Sequence, residues 1–244
     1  MDAKERREYG EIIEMMEMGK FESLGINERV EEITEVYYIT AIRAEQLVNE
    51  SYKRLGRKVA LPIDIEPIAN KLDINIVIEK LNLAGGNGLS KKLGVTTATK
   101  DRGVQIVVDS DVSYKTRRYA IANGIGRYLL NQSKDMFKNT YEIPLIPQSL
   151  EEIAADAIAV FLLMPVKAFK DEFLQYLKEC PKHPLDVDEW LEYLSDKCQI
   201  PLFNLAIGYQ QMKQVLCYQR REEFRSYDYD VTKMPDDKYE SIYA

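Results

Sequence analysis

Apolar residues recur at helical spacing along Val30, Ile33, Tyr37, Ala41, Ala44, Leu47, Val48, Tyr52 and Leu55. A period near 3.6 gathers them on one face and predicts a long helix over residues 27–55. Asn27 is its expected N-cap and Gly56 its stop. Upstream, residues 4–18 read as a short helix rich in Glu and Met, interrupted before the long one by Gly25. Leu61-Pro62-Ile63-Asp64 then turns into a short helix over Ile65–Leu72, with Asp64 as cap. Beyond it the period changes to two. Ile74–Ile78, Gly94–Ala98 and Val104–Val108 are β-branched and predict strands. Lys100-Asp101-Arg102-Gly103 supplies a hairpin turn between the last two, and the glycine-rich stretch Leu83–Leu89 is a loop.

The second half has helical periodicity throughout. Helices are expected over Tyr114–Leu130, Ser149–Leu163, Val166–Leu177, Asp186–Lys197 and Pro201–Val215. Ser149 and Glu152 have the spacing of a capping box, and Pro201 suits a first helical turn. After Arg220 the pattern decays into a tail rich in Tyr and Asp. This order predicts an α+β protein in which a small antiparallel or mixed sheet packs on a mainly helical body, followed by a C-terminal helical subdomain.

The 244 residues suffice for one good core or two small ones. No apolar run approaches the roughly 20 residues of a membrane span, and no apolar stretch follows the charged N-terminus as in a signal peptide. Cys180, Cys198 and Cys217 form no CxxC pair, so free thiols in a reducing cytoplasm are expected. The net charge of −7 is uneven: −6 over residues 1–36, −3 over 221–244, and +2 between. Acidic ends repel phosphates and argue against strong non-specific nucleic-acid binding.

Catalytic chemistry has few carriers. The sole histidine, His183, sits in the proline-bounded loop Cys180-Pro181-Lys182-His183-Pro184, and a lone CxxH lacks the four ligands of structural zinc. Cys198 and Cys217 show no activating partner, and Gly85-Gly86-Asn87-Gly88 matches no phosphate-binding fingerprint.

The run Arg117-Arg118-Tyr119-Ala120-Ile121-Ala122-Asn123-Gly124-Ile125-Gly126-Arg127 resembles the zinc helix of the ImmA/IrrE (DUF955-like) metallopeptidases, which carry HExxH there. Glu151 to Pro165, ending in Leu-Leu-Met-Pro, resembles the family's third-ligand helix. Leu61–Asp64, Ile74–Ile78, Gly88-Leu89-Ser90 and Ile106–Asp109 fit its opening and sheet, so the likeness spans roughly residues 40–215 in order. It implies a zincin-like body at 27–180, a helix-turn-helix-like subdomain at 181–220, and flanking segments 1–26 and 221–244.

The resemblance also locates departures. The former zinc-site positions are Asn123, Gly124 and Arg127, with Glu152 and Asp156 facing them from the second helix. A neutral amide is a poor zinc ligand, glycine takes no proton, and arginine stays charged. One register places Ala154 at the third ligand, and Glu151, Glu152 and Asp156 offer others. No catalytic residue, metal or cofactor is therefore expected. Arg127 is expected to pair with a carboxylate where zinc would sit, within a candidate cleft of Arg117, Arg118, Asn123, Arg127 and Glu152. Glu152 as a helix cap competes with that role, and Gly124 reflects either relaxed selection or room for a contact.

Three functions follow as expectations: a pseudopeptidase that binds a protein partner such as a regulator or repressor, in the manner of a phage or mobile element; a sequence-specific DNA-binding regulator using residues 187–215, where Leu194–Ala206 resembles a helix-turn-helix; or a residual hydrolase. The helix-turn-helix reading is weakened by Pro201, Leu202 and Phe203 at the start of its recognition helix, where only Asn204 is polar. The 27–55 helix offers a surface for self-association, with the oligomeric state left open.

Overall fold

The stretch from Ala154 to Val166 is buried without interruption, and the rest of the protein is arranged around it. In the computed structural model, residues 28–81, 94–99, 103–130, 140–143, 150–179 and 186–226 are described. Seven helices and four strands are formed by them: α1 (Glu28–Arg54), α2 (Glu66–Lys71), β1 (Ile74–Glu79), β2 (Gly94–Thr99), β3 (Gly103–Asp109), α3 (Tyr114–Leu130), β4 (Thr140–Ile143), α4 (Leu150–Leu163), α5 (Val166–Glu179), α6 (Val187–Cys198) and α7 (Leu202–Ser226). The expected helix at 4–18, the 83–89 loop, Cys180, His183 and the Ser149 cap lie outside the described residues.

The core helix α4 is apolar all round because it has neighbours all round. α3 packs along one side, α1 along another, and α7 closes a third. The face of α1 that turns inward is the one its periodicity marks: Tyr37, Ala41, Ala44, Val48 and Tyr52 are buried. Leu55, at the end of that series, is instead half-exposed, because the helix has stopped at Arg54 and Gly56 (φ +64°) reverses the chain.

The sheet has the order β1-β3-β2-β4 and is mixed. β1 runs parallel to β3, pairing Ile74 with Val104 and Ile78 with Val108. β2 is antiparallel to both β3 and β4. Ile74, Thr96, Ile106 and Val108 are buried, and α3 lies against β2 and β3.

Three expectations are corrected. Asp64 does not cap α2: the cap position is Ile65, with no side-chain bond, and Asp64 Oδ1 accepts from the Glu66 N–H at 3.2 Å as a local turn. β4 joins the sheet at its edge, where no strand was read. The last helix runs past Val215 to Ser226, into the segment read as tail. Asp186, by contrast, caps α6 by accepting from the N–H groups of Asp188 (3.0 Å) and Glu189 (3.1 Å).

Candidate functional site

Asn123 and Arg127 are one helical turn apart on α3, so their side chains share a face. Both are buried, at 3% and 7% exposure. Arg127 Nε donates to Asn123 Oδ1 at 3.2 Å, and Arg127 Nη2 lies 3.5 Å from Glu152 Oε1 on α4. The guanidinium is thus held between an amide of its own helix and a carboxylate of the facing one. Glu152 thus reaches it from the facing helix.

The two glycines of α3 explain how close the surroundings come. A Cβ on Gly124 would stand 2.9 Å from both Ile106 Cγ2 and Thr96 Oγ1, so this is where the helix presses on β2 and β3. On Gly126 it would stand 2.6 Å from Ala155 O and 3.1 Å from Ala155 Cα, which brings the α3 and α4 backbones together. That backbone approach puts Glu152 within reach of Arg127.

Asp156 follows Glu152 by one turn but lies apart from the pair. It is 3% exposed, and its Oδ2 has no hydrogen-bond partner among the described residues. Burial alone pushes its pKa up to about 7. Its neighbour across the helix boundary is Tyr37 of α1, whose phenol is itself held above its usual pKa, first by burial and less by the nearby Asp156, against a hydrogen bond with Gln211 of α7. A polar junction of α1, α4 and α7 therefore lies inside an apolar core. Nothing in the periodicity announced it, since Tyr37 and Gln211 are 174 positions apart.

Arg117 and Arg118 point elsewhere. Arg117 Nη2 donates to the carbonyls of Ser110 (3.1 Å) and Val112 (3.4 Å). Arg118, 6% exposed, donates to the carbonyls of Ile63 (2.7 Å) and Cys198 (3.4 Å). They pin the start of α3 to the end of β3, to the Leu61–Asp64 turn and to the end of α6. The five residues read as one cleft are thus divided: Asn123, Arg127 and Glu152 form one cluster, and the two other arginines tie elements together.

The cluster does not fit zinc. Its amide oxygen already accepts from a guanidinium, its carboxylate is paired, and its third member is a fixed cation. Two unit charges about 4 Å apart interact by about 4 kcal/mol at an effective dielectric near 20, and a divalent ion doubles that as repulsion from Arg127. Among the described residues, no group of three or more His, Cys, Asp or Glu side chains is placed to hold a metal.

Residues 69–180 match the family described as IrrE N-terminal-like domain, Peptidase_M78. This segment is thus similar to an IrrE N-terminal-like domain. No curated protein matches it. Among solved structures it is similar to a Mycobacterium tuberculosis transcriptional regulator, at 16% identity over 72% of this chain and 50% of that one, with a TM-score of 0.40. This chain thus aligns with about half the length of that structure. The IrrE-like match begins in α2 and ends just after α5, so it includes the whole sheet, α3 and α4.

Outside the IrrE-like match, α6 and α7 meet in a tight turn. Gln199 takes the left-handed conformation (φ 55°), and Ser195 Oγ donates to Ile200 O at 2.7 Å. At the start of α7, Leu202 and Phe203 are exposed while Asn204 is buried. Cys198, beneath this turn, is fully buried, and burial raises its thiol pKa far above the usual range. It is an inert core thiol. Among the described residues, no helix is long and apolar enough to cross a membrane.

Proposed function

We propose that this protein uses an IrrE-type domain without peptidase chemistry and acts by holding a protein partner, as a regulatory binder. The observation that carries the reading is the buried Arg127–Glu152 ion pair with Asn123 as its second partner. These residues stand where the family resemblance expects two metal ligands and their facing carboxylate. A cation built into the chain replaces the stabilising role of a bound one and leaves neither a Lewis acid nor a general base. Gly124, at the position of the general base, is packed on Ile106 and Thr96.

A binder of regulators or repressors, of the kind mobile elements use, is the partner class this reading favours. DNA recognition through α7 has less support: a reading helix offers polar side chains near its start, whereas α7 offers Leu202 and Phe203 and buries Asn204.

The test is the zinc content of the purified, tag-free protein, with melting scans in added zinc and in chelator. No stoichiometric zinc and no shift are expected. One zinc per chain, with a melting temperature that falls in chelator, would overturn the reading and reopen the search for a peptide substrate.

A further inference from the structure

The end of α1 gathers positive charge. Lys53, Arg54, Arg57 and Lys58 fall within six residues, and all four are exposed. Gly56 bends the chain back, with Gly56 N–H donating to Lys53 O and Arg57 N–H to Tyr52 O, both at 3.0 Å, so the second pair of cations returns beside the first. Their surroundings do not neutralise them. Lys71 is paired with Glu50, Lys80 with Asp111, Lys115 with Asp196 and Lys197 with Glu172. Arg57 has only a loose, exposed contact with Asp64 at 3.7 Å, and Lys53, Arg54 and Lys58 have no ion-pair partner among the described residues.

Beside this cluster lies an open groove of about 400 Å³ between the end of α1 and α2. Leu55, 50% exposed, and Pro67 give it apolar surface, Ser51 and Asn70 add polar atoms, and Arg54 and Arg57 line it. It shares no residue with the Asn123–Arg127–Glu152 cluster. Asp64 and Glu66 line it as well. A long polyanion laid across the groove would meet those carboxylates along its length. A short acidic peptide segment seats differently: its carboxylates face the four cations and one apolar or aromatic side chain covers Leu55 and Pro67.

We propose that this groove docks an acidic segment of a protein partner, with Lys53, Arg54, Arg57 and Lys58 as its charge-reading edge. The proposal rests on the partner-binding reading only for the class of partner, and zinc content does not enter its test.

The experiment is fluorescence anisotropy of the full chain with a short fluorescein-labelled Glu/Asp peptide carrying a central tryptophan, at low and high salt. A Lys peptide of the same length and a DNA duplex run alongside. Binding of the acidic peptide that weakens with salt is expected, and Lys53→Glu/Arg54→Glu/Lys58→Glu should weaken it by roughly tenfold or more. Because glutamates at a helix C-terminus oppose its dipole, the neutral triple Lys53→Gln/Arg54→Gln/Lys58→Gln is measured too. It should bind less tightly than the native chain while melting within a few degrees of it. No binding of the acidic peptide, or equal binding by all three proteins, overturns the proposal. Tighter binding of the duplex, lost in both variants, also overturns it and assigns the cluster to nucleic acid.

Discussion

At the scale of single residues, the two buried charges of the IrrE-like core behave oppositely. Arg127 is compensated. Truncating it removes the ion pair from Glu152 and leaves the Asn123 carbonyl without this donor, and Glu152 is partly solvated at 21% exposure. Arg127→Ala is therefore expected to cost about 2–3 kcal/mol, below the full loss of a deeply buried pair, and urea denaturation reads it. Unchanged stability would remove the pair as a structural element. Asp156 is uncompensated, and its pKa stands near 7 in the fold against about 4 in the unfolded chain. Below pH 4 both states hold the proton. Between 4 and 7 only the folded state does, so stability falls as pH rises through that window, by at most about 1.4 kcal/mol per unit, and levels off above it. Asp156→Asn, neutral at every pH, should flatten that slope and gain stability relative to the native chain at pH 8. A slope identical in both proteins would place the titration elsewhere. Residue types made Asn123, Gly124 and Arg127 legible as a lost zinc site, since their chemistry excludes ligation wherever they sit. The isolation of Asp156 was not legible. Its i, i+4 spacing from Glu152 predicts a shared face, but the neighbours on that face come from α1 and α7.

At the scale of elements, the α3–α4 contact decides the most. Both glycines of α3 cost helix propensity, about 1 kcal/mol each against alanine, and what each would meet differs in kind. A methyl at Gly124 meets side-chain atoms of Ile106 and Thr96, whereas at Gly126 it meets the Ala155 backbone, which gives way less readily than a side chain. Gly126→Ala should destabilise by about 3 kcal/mol or fail to fold, and Gly124→Ala by about 1 kcal/mol after its gain in propensity, by urea titration. The reverse order would mean that α3 is held by the sheet and not by α4. Most elements were readable from period alone: α1 and α3 fall where their apolar spacing puts them, and β1, β2 and β3 differ by a residue or two at their ends. β4 escaped because four residues, Thr140–Ile143, ended by Pro144, are too short for alternation to register, and only pairing with β2 makes them a strand. The end of α7 escaped for a related reason. Apolar period marks the part of a helix that packs, and residues 219–226 continue the helix after the buried Val215 and Leu216.

At the scale of the whole molecule, the question is whether α6 and α7 form a separate subdomain, as a boundary near 180 suggests, or fold with the IrrE-like body. Several contacts cross that boundary. Trp190, fully buried in α6, packs edge-on to Phe173 of α5 with centroids 5.1 Å apart. Phe169 meets Tyr209 of α7 at 6.2 Å, and Tyr218 packs at a tilt against Tyr38 of α1 at 4.9 Å. Gly208 lets α7 lie against α4, for a Cβ there would fall 2.4 Å from Val160 Cγ1. At the other end, Arg118 and Lys115 of α3 reach Cys198 and Asp196. A core shared this widely favours one cooperative transition. Trp190 is the only tryptophan, so its fluorescence reports the α5–α6–α7 cluster while far-UV circular dichroism reports every helix. The two unfolding curves in urea should coincide, and Gly208→Ala should shift both together by about 1–3 kcal/mol, as overpacking does. If fluorescence changes first and circular dichroism follows at higher urea, the C-terminal helices are an independent unit. Gly208→Ala would then move the first transition alone, and partner binding would have to be sought on each unit separately.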